Sequence, residues 1–152
     1  MKLRVEVDQN LPEDEVIIRC RELNETVLAL QRKISVQLQQ DISLIGVWQN
    51  TEYYLHPADI LFFETESKVV FAHTAENLFE TEYKLYELEE ELPGYFMRIS
   101  KSAIVNLNHI YSIAKNVTGA SAIEFVHSHK RIYVSRMYYK ALKERMAERR
   151  RG

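Results

Sequence analysis

Charged and apolar residues alternate at the start of the chain. Leu3-Arg4-Val5-Glu6-Val7-Asp8 has period two, which predicts a strand closed by Asn10-Leu11-Pro12. Val16–Cys20 is β-branched and predicts a second strand. Asn24 can then cap a helix over Glu25–Gln39, with an apolar stripe of Val27, Leu28, Leu30, Ile34 and Leu38. Such a strand–strand–helix unit is too small to be stable alone. It is expected to pack on the rest of the chain or on a second copy.

From Ile42 the texture changes to short strands. Ile42–Gln49, Glu52–Leu55, Ile60–Glu66 and Lys68–Thr74 read as strands separated by Asn50-Thr51, Pro57-Ala58-Asp59 and Ser67. Ala75–Leu92 is predicted as a helix carrying Leu78, Phe79, Leu85, Leu88 and Leu92, stopped by Pro93-Gly94. Tyr95–Ile99, Ala103–Val105, His109–Lys115, Ala122–His127 and Arg131–Val134 are again β-like, and a last helix covers about Arg136–Arg149, with Tyr139, Leu142 and Met146 on one stripe. The expected fold class is α+β, predominantly β, with one internal helix and a C-terminal helix, preceded by the small β-β-α unit. The expected division is an extension over residues 1–41 and a main domain over residues 42–152.

With 152 residues, 46% of them hydrophobic and 28% charged, the chain can build its own core without disulfides, and wholesale disorder is excluded. No apolar run approaches the roughly 20 residues that span a bilayer, and the start lacks the apolar core of a signal peptide, so a cytoplasmic protein is expected. One cysteine, Cys20, excludes an internal disulfide and a cysteine-only zinc site. The net charge of −2 hides a polarity: residues 96–152 hold 12 Lys and Arg against 3 acids, a balance of +9, and the remainder carries −11. A polyanion partner for the basic part is one reading of this asymmetry; a solvated helix face and a basic tail, Arg149-Arg150-Arg151, is the other.

Catalytic patterns are missing. There is no Gly-x-Ser-x-Gly elbow, no phosphate-binding glycine loop and no His-Glu-x-x-His. His127 and His129 would share a face if extended, yet their neighbours Lys130 and Arg131 are cationic and no Cys, Asp or Glu completes a metal set. No enzyme, cofactor, metal or small-molecule substrate is therefore expected. The informative stretch is Tyr95–Asn106, in which apolar residues flank Ser100-Lys101-Ser102. Hydroxyl and ammonium groups on a loop suit phosphate oxygens and base edges. In Val134-Ser135-Arg136 an arginine leaves a strand for a helix, and a guanidinium can address guanine O6 and N7 together. A serine turn and an N-terminal cap by Ser135 account for the same residues equally well.

Asp59-Ile60-Leu61-Phe62-Phe63-Glu64, a helix ending Leu88-x-x-x-Leu92, Phe96-x-Arg98-Ile99-x-x-Ser102-x-Ile104-Val105-Asn106, an Ile110 strand and Ile132-x-Val134-Ser135-Arg136 together resemble the LytTR DNA-binding domain family over about Ile42–Met146. The family is the output module of many bacterial response regulators. The resemblance implies elongated, stacked β-sheets whose inter-strand loops enter successive major grooves of double-stranded DNA, hence a sequence-specific transcriptional regulator. It places base contacts on Lys101, with Ser100 and Ser102 beside it, and on Arg136. The family's third contact loop is shortened here, with Lys68 nearest to it. Arg98 and Asn106 match motif positions and are assigned mainly structural roles, Arg98 also being retained among the DNA-binding candidates. Lys130 and Arg131 complete the candidates by their charge.

About 40 residues precede the resembling segment, too few for a receiver domain of roughly 100–200 residues, so a stand-alone regulator is expected. The extension is expected to serve a homodimer or a membrane-protein regulator. The alternative function is a non-catalytic protein-interaction module that binds a membrane or signalling partner.

Overall fold

The computed structural model describes residues 1–39 and 43–151. The chain divides into two compact units, one of Met1–Gln40 with Glu148–Gly152 and one of Asp41–Ala147. Both sides of the expected boundary between residues 41 and 42, and the expected strand start at Ile42, lie outside the described residues.

In the first unit the expected helix forms as α1 (Glu25–Gln39). The Asn24 Oδ1 accepts from the Val27 N–H at 3.0 Å, as a capping asparagine does. Val27 is buried, whereas Leu38 is 71% exposed. Leu3–Asp8 and Val16–Cys20 differ from expectation: among the described residues neither pairs in a sheet. A β pattern specifies a strand only when a partner completes its ladder.

The second unit is built on a seven-stranded antiparallel sheet of order β2-β1-β5-β4-β3-β7-β6. Its strands are β1 (Leu44–Trp48), β2 (Thr51–Leu55), β3 (Phe62–Glu66), β4 (Val69–His73), β5 (Leu78–Thr81), β6 (Phe96–Ser100) and β7 (Ala103–Asn106). A second sheet, in order β10-β9-β8, contains β8 (Ile110–Ala114), β9 (Ser121–Phe125) and β10 (Arg131–Val134). Two further helices are α2 (Leu85–Glu91) and α3 (Arg136–Arg151).

The helix expected over Ala75–Leu92 is corrected. Its first half is strand β5, paired with both β4 and β1, and only its second half is helical. Leu78, Phe79, Glu80 and Thr81 alternate exposed and buried, which is the period of a strand. Leu and Glu favour helices in isolation, but the gap between β1 and β4 imposes extended backbone, and tertiary pairing overrides propensity.

Strict alternation gives the large sheet two cores. Phe63, Ile104, Phe96, Val70, Phe79, Leu85 and Leu88 pack on the face covered by α2. Phe62, Ala103, Val105 and Ile99 pack on the other face with Ile123, Phe125, Ile132 and Val134 of the small sheet and Leu142 of α3. Tyr139 and Met146, on the expected stripe of α3, lean on this second core.

Asn106 links these layers. It is fully buried, its side-chain amide donates to the Ile60 carbonyl at 2.9 Å, and its Oδ1 accepts from the Asn108 N–H at 2.9 Å. This is the structural role its sequence position implied. Where β1 lies beside β5 the packing is tighter: a Cβ on Gly46 would lie 2.7 Å from both Leu55 Cδ1 and Phe79 Cβ. Gly46→Ala is therefore expected to destabilise the sheet by about 1–3 kcal/mol. Gly94→Ala, where a Cβ would meet nothing within 4 Å, should change stability little. The two denaturant midpoints measure the difference.

Candidate nucleic-acid interface

Hairpin geometry fixes which turns share an end of the sheet. Glu66 pairs with Val69, so Ser67 and Lys68 form a two-residue turn, with φ of 49° and 68°. Positive φ at both positions matches the turn to the twist of the flanking strands. Across β3 and β7, Glu64 faces Ala103. The Thr65 N–H donates to the Ser102 carbonyl at 2.8 Å. The Lys101-Ser102 turn therefore sits beside the end of β3, and Lys68 and Lys101 share one end of the large sheet, both exposed.

Arg136 reaches the same end by another route. β10 runs up to Val134, and the Ser135 N–H donates to the Ile99 carbonyl at 2.9 Å. This contact is one residue from Ser100, so the exposed Arg136 opens α3 next to the Ser100–Ser102 turn. The Ser135 carbonyl accepts from the Tyr138 N–H at 3.1 Å. The hydroxyl cap expected of Ser135 does not form: its side chain holds no partner among the described residues. The start of α3 adds the positive end of a helix dipole, which favours a phosphate.

Arg98 is committed elsewhere. Its Nε donates to the Ser100 carbonyl at 2.7 Å and an Nη to the Lys101 carbonyl at 2.6 Å, while the other Nη pairs with the Glu89 carboxylate. A bulge between Arg98 and Ser100 leaves these carbonyls clear of the ladder and turned to the guanidinium. Arg98 is thus the brace of the Lys101 turn. Ser100 Oγ accepts from the Ser102 N–H at 3.1 Å and lies 3.3 Å from Ser102 Oγ, closing the same turn.

Lys130 and Arg131 lie at the opposite end. Lys130 Nζ donates to the Asn77 carbonyl at 2.6 Å and lies 3.3 Å from His73 Nδ1. His73 faces Phe62, the first residue of β3, so Lys130 is a strand length from Lys68. Ser128 Oγ, donating to the Ala75 carbonyl at 3.0 Å, ties down the same loop. Arg131 pairs with Glu124 across the β9–β10 ladder at 2.8 Å. His127 sits in a turn at φ 59°, so the extended His127/His129 arrangement does not occur. Among the described residues no group of His, Cys, Asp and Glu could hold a metal ion.

One cation escaped the sequence reading. Lys115 follows β8, whose Ala114 faces Ala122, and so opens the β8–β9 loop at the Ser121–Val134 end, close to Arg136. Its Nζ lies 5.8 Å from the Tyr139 ring centroid. No motif marks it; only the pairing of β8, β9 and β10 brings it there.

Comparison with known proteins identifies the family. A family model described as the LytTr DNA-binding domain matches residues 51–147. The chain belongs to the LytTr DNA-binding domain family. An HTH-type transcriptional regulator of Staphylococcus aureus strain NCTC 8325 is 31% identical over 147 residues, covering 97% of this chain and 99% of the relative. One from strain MRSA252 is 30% identical over the same length. A solved LytTr DNA-binding domain from a methyl-accepting/DNA response regulator of Bacillus cereus superposes with a TM-score of 0.62 at 23% identity, covering 67% of this chain and 94% of that one. The LytTr fold of this chain is not a helix-turn-helix: five strands separate α1 from α2 and five separate α2 from α3. No helix among the described residues is long and apolar enough to cross a membrane.

The far end of the sheet carries a titration signature. His73 stacks on Phe62 with ring centroids 4.3 Å apart, and its Nε2 is buried without a partner. Burial, with the Lys130 charge added, lowers its pKa to about 4. Burial also lowers the pKa of Lys130. The folded chain keeps His73 neutral well below the pH near 6.5 at which the unfolded chain takes up a proton. Stability should therefore be intact above about pH 6.5 and fall as pH drops towards 4, by about 2 kcal/mol after allowing for solvent screening of the part-exposed ring. His73→Phe should flatten that part of the stability–pH curve, measured by urea denaturation at a series of pH values.

Proposed function

We propose that this protein is a sequence-specific, DNA-binding transcriptional regulator without catalytic activity that reads double-stranded DNA with turns. The observation that carries this reading is the convergence of three polar turns, Ser67-Lys68, Ser100–Ser102 and Ser135-Arg136, at one end of the large sheet. Lys68 and Lys101 are point charges suited to phosphates, and Ser100 and Ser102 are small donors and acceptors. Arg136 can make the paired hydrogen bonds that distinguish guanine. In this reading the Lys101 turn and the start of α3 enter the major groove, with Lys68 and Lys115 on the flanking backbone. Arg98 acts as a positioning residue for Lys101, while Lys130 and Arg131 contribute to the loop at the other end.

The names of the Staphylococcus aureus relatives support a role in transcription, and the family description supports DNA as the partner. The reading places the protein in the cytoplasm, where its DNA is. Paired half-sites would be met by two copies. The residues ahead of the sheet unit are the segment we assign to a second copy, or to a membrane-bound regulator of the kind the resemblance implies.

Arg136→Ala should cost about 1–3 kcal/mol of binding to a selected site and relax discrimination at one base pair. Lys68→Ala should weaken all sequences about equally and reduce the salt slope by about one. Lys130→Ala should leave the sequence preference intact. Mobility shifts on selected and random duplexes at several salt concentrations separate these outcomes. A flat salt dependence with no preferred site would point instead to a protein-interaction module.

A further inference from the structure

Among the described residues, no backbone hydrogen bond joins residues 2–7 to the rest of the chain. Their apolar side chains are bare: Leu3 is 96%, Val5 82% and Val7 87% exposed. Arg4 and Glu6 meet at 2.7 Å, as side chains two apart on an extended chain do. The charged residues Lys2, Arg4, Glu6 and Asp8 thus alternate with the apolar set Leu3, Val5 and Val7. This leaves an unpaired edge with one apolar and one charged side, which a single chain seldom leaves open.

The order of charges says what covers it. Two positive residues are followed by two negative ones, and Val5 lies at the midpoint. If the segment pairs antiparallel with itself about a two-fold axis at Val5, Lys2 faces the partner's Asp8 and Arg4 faces the partner's Glu6. Leu3 then faces the partner's Val7, so both apolar sets share a side. Sliding the register by two residues in either direction sets Arg4 against Arg4 or Glu6 against Glu6. Sliding it by one sets charges against apolar side chains. A parallel pairing in register puts every charge against its like, and one offset by four residues matches opposite charges only over half the segment and is not two-fold symmetric. One two-fold register alone has no conflict, and like charges directly opposite one another destabilise a sheet.

We infer that a second copy of this chain completes the segment, with Lys2–Asp8 of the two chains forming an antiparallel strand pair centred on Val5. This deepens the two-copy reading above and is independent of whether Lys101 and Arg136 contact bases. Two strands alone are marginal in water. Val16 and Ile17, 59% and 62% exposed, offer a further unpaired apolar segment on each copy to widen the layer.

The register is tested by cross-linking the full-length protein with Cys20, which is exposed, replaced by Ser. Directly opposed residues of an antiparallel pair have Cα atoms about 4.5–5.5 Å apart, within reach of a disulfide. Val5→Cys should form a covalent dimer on mild oxidation, whereas Leu3→Cys or Val7→Cys alone should not, and a mixture of these two should yield the mixed dimer. Arg4→Glu should weaken the dimer about tenfold in sedimentation equilibrium, since it sets two pairs of like charges face to face. The double exchange Arg4→Glu with Glu6→Arg should restore it. A protein that sediments as a monomer throughout, or cross-links that ignore position, would overturn the inference. Mobility shifts on the same variants keep this outcome apart from the DNA reading: Arg136→Ala should relax discrimination at one base pair and still cross-link through Val5→Cys.

Discussion

The ladder between β3 and β7 is the constraint on which the sheet unit depends. Where they pair, both faces are buried, so Phe62 and Val105 serve one core while Phe63 and Ile104 serve the other. A one-residue slip would exchange every side chain between the two cores, and this fixes the register. Asn106 closes one end of the ladder through the Ile60 carbonyl, and the Thr65–Ser102 hydrogen bond closes the other. Once the ladder is set, the Ser67-Lys68 and Lys101-Ser102 turns have no choice of end. Their placement follows from packing.

Cations at the two ends of the unit are treated differently by their surroundings. At the turn end Lys68, Lys101 and Arg136 are exposed, so their charges remain hydrated and available to a polyanion. Arg98, half-buried beside them, spends its guanidinium on two carbonyls and one carboxylate. At the other end Lys130 is held by Asn77 and His73, and burial acts against its charge. Acids also enter the turn end: Glu64 is held above the usual carboxylate range by burial and then by Glu66. If the turns meet DNA as proposed, acids so close to them would weaken attraction to unmatched phosphates.

Helix-turn-helix proteins read the major groove with a helix; this chain has the name of such proteins among its relatives and a different architecture. In the proposed reading the turns of the β-sheet take that place, since a rigid ladder limits the motion of a two-residue turn. Five hydrogen bonds or close polar contacts, from Arg98, Ser100, Ser102 and Thr65, hold the Lys101 turn. A lysine on such a base loses less freedom on binding than one on a long loop.

Local pattern determined much of this protein. Alternation and turn residues located nine of the ten strands, α1 and its Asn24 cap, the stripe of α3, and the polar inserts around Lys101 and Arg136. These features depend on neighbours within a few residues, and such neighbours are visible in the chain. The tertiary structure decided the rest. It drew β5 out of an apparent helix because a vacant ladder position outweighs the modest preference of Leu and Glu. It sent Lys130 and Arg131 to the far end and brought Lys115 to the near one, since residues distant in sequence meet only through strand order and register. It also left Leu3–Asp8 without a ladder, because a strand's hydrogen bonds belong to its partner as much as to itself.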